Sequence, residues 1–204
     1  TGSFKDIFAN CVVDVYSGAQ PVGADSAATG SLLVTVTKGS AAFTPETRSV
    51  GTLTLAGAAG AINTVTVNSL DILGAAVPFN ASLNQTAVDV AAQINRNPKN
   101  LLFVASATGA SAIVTLTAMN GLGVLANGWV VAYTATTMTA TPANMAGGVD
   151  AVNGLRFDTA TNGVLPKVVA DTWSGNGLAD GTAGWFRVRE GGDSGAAEST
   201  TASR

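Results

Sequence analysis

The sequence predicts a mainly β protein, an antiparallel β-sandwich of the jelly-roll or immunoglobulin-like kind with a small inserted α+β domain that carries one helix. Three observations lead to this prediction. Short runs of alternating apolar and polar residues, rich in Thr and Val, recur along the chain, as in half-buried strands. Five Asn-Gly pairs, which favour tight turns, punctuate these runs. One segment instead has helical periodicity.

The strands are predicted from the alternating runs. In residues 31–37 (SLLVTVT), Leu32, Val34 and Val36 share one face, and Leu33, Thr35 and Thr37 share the other. The same alternation predicts strands at 51–57, 63–67, 102–107, 112–118, 128–136 and 184–190.

The helix is predicted over residues 84–98 (NQTAVDVAAQINRNP). Its apolar stripe has helical spacing, and Pro98 lies just beyond its end. Asn84 or Thr86 can cap its start. A second, short helix is predicted at 3–10. The stripe of the main helix consists of Ala87, Val90, Ala91 and Ile94.

The order of these elements predicts two domains. Residues 50–150 form a strand–strand–helix–strand–strand–strand unit between glycine-containing borders. The flanks, 1–49 and 151–204, are each too short for a core but together have the size of one sandwich. We therefore expect a discontinuous β-sandwich domain of 1–49 plus 151–204, interrupted in one loop by a domain of 50–150, because insertions at loop tips cost little.

Composition argues against several classes of function. Only 11% of the 204 residues are charged, against roughly 25% in ordinary soluble domains, which favours a surface covered by neighbours. A net charge of -3 with ten Lys and Arg argues against nucleic-acid binding. No apolar run approaches the ~20 residues of a membrane span, and the first residues do not resemble a signal peptide. We expect a soluble protein without nucleic-acid or membrane partners, although a leader or an upstream segment could precede Thr1.

The chain contains no histidine and a single cysteine, Cys11. Ser-His-Asp and Cys-His catalysis, zinc sites with His ligands and intrachain disulfides are therefore excluded. Cys11 lies in an apolar context and is expected to be a buried structural thiol. We predict no enzyme, no catalytic residue, no cofactor and no metal.

Residues 171–188 (DTWSGNGLADGTAGWFRV) combine four glycines with two tryptophans. A phosphate loop at 175–181 would need a following helix, whereas a strand pattern follows. Calcium binding by Asp171, Asn176 and Asp180 is the next alternative. We favour a turn between two strands, at Asn176-Gly177 and 181–184. Likewise, Asp25 is expected to be an Asx-turn residue, and Asp150 and Asp158 are a poor catalytic pair.

Four aromatic residues are candidates for partner contact: Trp129, Tyr133, Trp173 and Trp185. Trp173 and Trp185 would flank the predicted hairpin and, with Phe186, supply apolar surface either to the core of the sandwich or to a neighbouring subunit. Trp129 and Tyr133 would support receptor or carbohydrate binding if they formed an aromatic patch beside polar loops.

Segments on both sides of the predicted insert carry a family resemblance. Residues 12–37 (VVDVYSGAQPVGADSAATGSLLVTVT), 153–167 (NGLRFDTATNGVLPK) and 171–190 (DTWSGNGLADGTAGWFRVRE) resemble, in order, a family of small tailed-phage virion proteins. The resemblance covers about half of the chain. In those proteins the two halves are often nearly contiguous, and further strands follow the region equivalent to 191–204.

The predicted insert has its own resemblance. Residues 64–95 and 103–118 are similar to small βαββ modules of phage tail and flagellar hook-associated proteins. Both resemblances imply location in the virion and a role in assembly, with homo-oligomer and other virion proteins as partners. Capsid decoration or cementing is the first expectation, and a tail, collar or baseplate role is the second. Host-surface adhesion is the alternative from another class.

Overall fold

The computed structural model describes residues 8, 10–23 and 26–189. This part is mainly β, with antiparallel sheets in a sandwich-like arrangement and one α-helix, which confirms the predicted fold class. The predicted helix at 3–10 lies largely outside the described residues, and Asp25 and residues 191–204 lie wholly outside them. The chain divides into two compact units, Thr1–Thr47 with Asp150–Arg204, called unit 1, and Arg48–Val149, called unit 2.

The elements follow the predicted order with additions. They are β1 (Val12–Ser17), β2 (Leu32–Lys38), β3 (Val50–Ala56), β4 (Ala61–Val67), β5 (Leu70–Asp71), β6 (Val77–Pro78), α1 (Leu83–Arg96), β7 (Phe103–Ser106), β8 (Ile113–Ala118), a 3-10 turn (Gly123–Ala126), β9 (Val131–Thr136), β10 (Thr139–Ala146), β11 (Trp173–Ser174) and β12 (Ala183–Arg189).

Unit 1 contains an antiparallel sheet of order β11-β2-β1-β12. Strand β1 pairs with β12 from Val12 opposite Arg189 to Ser17 opposite Ala183. Two segments that are distant in sequence thus share one sheet. The two ends of the connection between β1 and β2 are held together, since the Ser17 N–H donates to the Ser31 carbonyl at 3.0 Å.

The predicted hairpin in residues 171–188 is wrong. Strands β11 and β12 lie on opposite edges of the sheet, with β2 and β1 between them. Asn176-Gly177 does not turn, because Gly177 forms a bridge with Val34 in the register that β11 begins. The Leu178 N–H donates to the Leu33 carbonyl at 2.8 Å. The chain therefore stays extended along β2 through Leu178 and crosses the end of the sheet afterwards.

Unit 2 contains two sheets and α1. One sheet has the order β10-β3-β8-β7; in the other, β4 pairs with β5, β6 and β9. The inward residues of both sheets and the apolar stripe of α1 form a shared core that includes Leu53, Ile62, Val90 and Leu116, all fully buried. Because α1 and the strands of both sheets contribute side chains to this one core, the sequence of the middle segment has both strand and helix periodicity.

Helix α1 confirms the predicted stripe and end but not the predicted cap. Ser82 is the N-cap, and its side chain accepts a hydrogen bond from the Gln85 N–H at 3.1 Å. Thr86 is instead buried one turn inside, where its hydroxyl donates to the Ser82 carbonyl at 2.8 Å. Both predicted caps, Asn84 and Thr86, are thus wrong. Several residues near this helix start have capping side chains, and only the backbone geometry selects Ser82.

Strand β10 lies outside the strands predicted by alternation because Pro142 interrupts its pattern. Proline has no N–H for the ladder and is tolerated at sheet edges. Strand β10 is an edge strand that pairs with β3, with Pro142 opposite Leu53. Its position in the sheet thus explains a proline within a strand.

Candidate assembly surfaces

One face of the unit 1 sheet is apolar and partly exposed. Val15 lies opposite both Val34 and Phe186, and Val13 lies opposite both Val36 and Val188. Since paired residues of an antiparallel sheet point to the same side, these six side chains form a continuous patch, here called the Val–Phe face. Phe186 is 65% exposed and Val188 is 37% exposed. Contiguous exposed apolar surface is typical of interaction sites, whereas scattered apolar residues are not informative.

The opposite face of the same sheet is polar and carries the two arginines of β12. Asp14 is 2% exposed and accepts hydrogen bonds from Arg189 and from the Thr35 hydroxyl. The Arg187 guanidinium donates to the Ser26 carbonyl at 2.7 Å and lies 5.5 Å from the centroid of the Trp185 ring. The strand alternation therefore turns both arginines away from the Val–Phe face.

Trp185 belongs to this polar, covered face rather than to the Val–Phe face. Its ring is 9% exposed, stacks on Tyr16 with centroids 4.5 Å apart, and donates from Nε1 to the Thr29 carbonyl at 3.2 Å. The ring thus holds the β1–β2 connection against its own sheet. The exposed aromatic residue of this strand is its neighbour Phe186, which the sequence predicts to supply apolar surface together with the two tryptophans. The alternation of residues 184–190 is the signal that separates the two.

The other three predicted aromatic residues are half-buried. Trp173 packs edge-to-face on Phe157, with centroids 5.1 Å apart. Trp129 packs edge-on against Phe103 at 6.0 Å, beside the core of unit 2. The Tyr133 hydroxyl accepts a hydrogen bond from the Ala140 N–H at 2.8 Å. Each ring therefore has a role within its own unit.

Unit 2 exposes a second uncharged surface on the outer face of the β10-β3-β8-β7 sheet. Its rows are defined by strand pairing, for example Ala143, Thr52, Thr115 and Ser106 across the four strands. None of its residues is charged, and most are threonine or another small β-branched residue. We call this surface the threonine face; it consists of Val50, Thr52, Thr54, Val104, Ser106, Ile113, Thr115, Thr117, Thr141 and Ala143.

The Asp171 carboxylate lies in a buried ion-pair network of unit 1. Asp171 is 2% exposed, and its carboxylate receives two hydrogen bonds from Arg156, at 2.7 and 2.8 Å, and an ion pair from Lys38 at 3.2 Å. The Arg156 hydrogen bonds, aided by Lys38, hold the pKa of Asp171 at about 2, despite its burial. Both carboxylate oxygens accept hydrogen bonds from Arg156 and Lys38 adds a second cation, so these contacts make Asp171 part of a structural ion-pair network and do not support the calcium alternative. No group of three or more possible metal ligands occurs in the described part of the chain.

The other candidate residues also have structural surroundings. Cys11 is 1% exposed, as expected for a structural thiol, and burial raises its pKa to about 11. Strand β12, not a helix, follows residues 175–181, so the helix N-terminus that a phosphate loop requires is absent there. Asp150, Asp158 and Asp180 are exposed. Within the described residues, the candidate surfaces are therefore one uncharged sheet face in each unit.

Comparison with protein-family models, with curated proteins and with solved structures found no match to this chain. Among the helical residues that the structure describes, none belong to a helix long and apolar enough to cross a membrane.

Proposed function

We propose that this protein is a bacteriophage virion structural protein, an oligomeric accessory protein that decorates or cements the capsid through protein–protein contacts. The observation that carries the proposal is that each unit exposes an uncharged sheet face, the Val–Phe face in unit 1 and the threonine face in unit 2. The resemblance of residues 12–37, 153–167 and 171–190 to small tailed-phage virion proteins supports the virion as the location.

The chemistry of these faces suits burial against other proteins. Valine, threonine and alanine side chains lose little conformational entropy when a contact forms. Few charges have to be stripped of water, which is a cost that lowers affinity at charged surfaces. Charged residues are also few in the chain as a whole, at 11%, so the cost of removing water from charges is low elsewhere on the surface as well.

A tail, collar or baseplate role uses the same chemistry and is the second candidate. Receptor or carbohydrate binding is less well supported, because it was expected to need an exposed aromatic patch at Trp129 and Tyr133. Both side chains pack against the core of unit 2, and the binding groove of such a module would have to use other residues.

The location is tested on purified particles of the virus that carries the gene. Mass spectrometry should find the chain in many copies per particle, and antibody labelling should place it on the capsid. Label confined to the tail would select the second candidate. Absence of the chain from purified particles would overturn the proposal.

The surface is tested by adding purified full-length chain to particles that lack it. Thr54→Lys puts a charge on the threonine face and should lower uptake by about tenfold or more, since an unpaired charge must be desolvated. Thr159→Lys is the matched control, because Thr159 is equally an exposed threonine but lies outside both faces. Equal uptake of the two variants would exclude the threonine face as a contact surface.

A further inference from the structure

We propose that two copies of this chain associate through strand β12, whose outer edges pair antiparallel about a two-fold axis centred on Phe186. The inference names a partner for the assembly function proposed above and rests on it. Three features of β12 carry the inference: its place at the edge of the sheet, the position of Phe186 and the placement of charge along the strand.

Strand β12 is an edge strand. It pairs with β1 on one side, and no strand of the described residues pairs with its other side. Natural edge strands are usually blocked by outward charges, prolines or short length. Strand β12 has seven residues and no proline, and both of its arginines point to the polar face, where Asp14 and Ser26 hold them. Neither a proline nor short length therefore blocks strand addition to β12, and its one register shift against β1 lies near the start of the strand, between Ala183 and Trp185.

Phe186 lies at the centre of β12, with three residues on either side. A two-fold axis through this position pairs the full length of both strands and places Phe186 of each copy beside the other. Directly opposite side chains in antiparallel strands have Cβ atoms about 4.5–5.5 Å apart, close enough for the rings to touch. Because the axis is perpendicular to the sheet, the Val–Phe faces of both copies lie on the same side and become one continuous apolar surface.

The charge pattern selects this register. With the axis at Phe186, Arg187 lies opposite Trp185 of the second copy, and Arg189 lies opposite Ala183. Moving the axis to Arg187 would set that arginine against itself, and moving it to Val188 would set Arg187 against Arg189. Like charges directly opposite each other destabilise strand pairing. An axis at Trp185 avoids this repulsion but shortens the paired length and separates the two phenylalanines.

The first test is the oligomeric state of the full chain, measured by light scattering and analytical ultracentrifugation. The wild-type chain should be a dimer or a multiple of one, and Phe186→Lys should raise the dissociation constant about tenfold or more. Val169→Lys is the matched control, because Val169 is also exposed, at 88%, and lies outside β12. Circular dichroism establishes that both variants are folded.

The second test fixes the register by cross-linking. Phe186→Cys should form an intersubunit disulfide on oxidation, because residues on the axis lie side by side. Val188→Cys should not, because its two copies would be four residues, or about 13 Å, apart. Cys11, at 1% exposed, does not compete.

The proposal is overturned if the wild-type chain is monomeric, if Phe186→Cys fails to cross-link where the wild type is dimeric, or if Val188→Cys cross-links equally well. A chain that enters particles but fails these tests would contradict the two-fold pairing and leave the assembly function standing. A chain that dimerises as described but is absent from particles would support the two-fold pairing and contradict the assembly function.

Discussion

Gly184 lies at the irregularity where the pairing of β12 with β1 shifts, between Trp185 opposite Tyr16 and Ala183 opposite Ser17. A Cβ atom at this position would overlap the Gly18 carbonyl oxygen. Gly177, in the same glycine-rich segment, has open space where its Cβ would be. At the residue scale, therefore, only glycine fits at position 184, whereas position 177 has room for a larger residue. The sequence alone does not separate the two positions.

Gly184→Ala should lower the free energy of unfolding by about 1–3 kcal/mol, because the backbone of β1 or β12 must move to admit a methyl group. Gly177→Ala should change it by less than about 0.5 kcal/mol. Urea denaturation of both variants measures the difference. Equal stabilities would show that the two strands separate at this point without cost.

Asp171 predicts a specific loss of stability in acid. Its folded-state pKa of about 2 is below the ordinary value of about 3.9, so the ionised form favours the folded state. This contribution is complete above about pH 5 and is lost as the pH falls towards about 2. Denaturation at several pH values should show a shallower acid dependence for Asp171→Asn than for the wild type. A wild-type slope retained in Asp171→Asn would contradict the prediction.

At the scale of single elements, local pattern predicts strands and α1 well but not how they end or pair. The alternating runs give β2, β3, β4, β7, β8, β9 and β12 to within a few residues, because alternation is a local property of a half-buried strand. The two-residue strands β5, β6 and β11 are too short to have a pattern. The hairpin expected from Asn176-Gly177 fails, whereas Asn162-Gly163 does turn, with both residues at positive φ and Thr161 bridged to Val164.

Ser82→Ala should destabilise α1 by about 1 kcal/mol, because it leaves the Gln85 N–H without its side-chain acceptor. Asn84→Ala is the control that the sequence itself suggests, since Asn84 is one of the two caps expected from the pattern. It lies inside the helix, where alanine is the better helix former, and it should leave stability unchanged or slightly raised. Urea denaturation monitored by circular dichroism decides between the two positions, and a larger loss for Asn84→Ala would reject Ser82 as the cap.

At the scale of the whole molecule, the two points at which the chain passes between the units lie close together within each unit. In unit 2, Val50 is paired with Ala146, next to the two points where the unit begins and ends. In unit 1, the Thr44 N–H donates to the Val152 carbonyl at 3.1 Å. The large core cluster lies entirely between Leu53 and Met145. Such geometry is what tolerance of an inserted domain requires, and the discontinuous domain organisation remains a prediction.

Residues 48–149 expressed alone should therefore fold cooperatively, because the segment contains its whole core and its ends meet. The complementary chain, with Thr47 joined to Asp150 by a short Gly-Ser linker, should retain the β1–β12 pairing. Amide hydrogen exchange and thermal unfolding of both products, beside the full chain, measure this. An unfolded 48–149 segment would show that unit 2 depends on the flanking chain.

The candidate surfaces were only partly predictable from the sequence. Low charge and abundant threonine indicate an uncharged surface, but the sequence leaves open whether the tryptophans face the core or a partner, and Trp185 is mostly buried on the covered side of its sheet. Large aromatic side chains suit both cores and interfaces, so residue type alone does not separate these roles. Phe186 is exposed because the β1–β2 connection covers the opposite face of the sheet, where Trp185 lies.

The sequence by itself determined that the protein is mainly β, where most strands lie and where the single described helix runs, because periodicity depends on neighbours in the chain. Only the tertiary structure decided that β11 and β12 occupy opposite edges of one sheet and that Phe186 lies on its open face. Strand order and face coverage depend on contacts between segments more than a hundred residues apart, and no local pattern encodes such contacts.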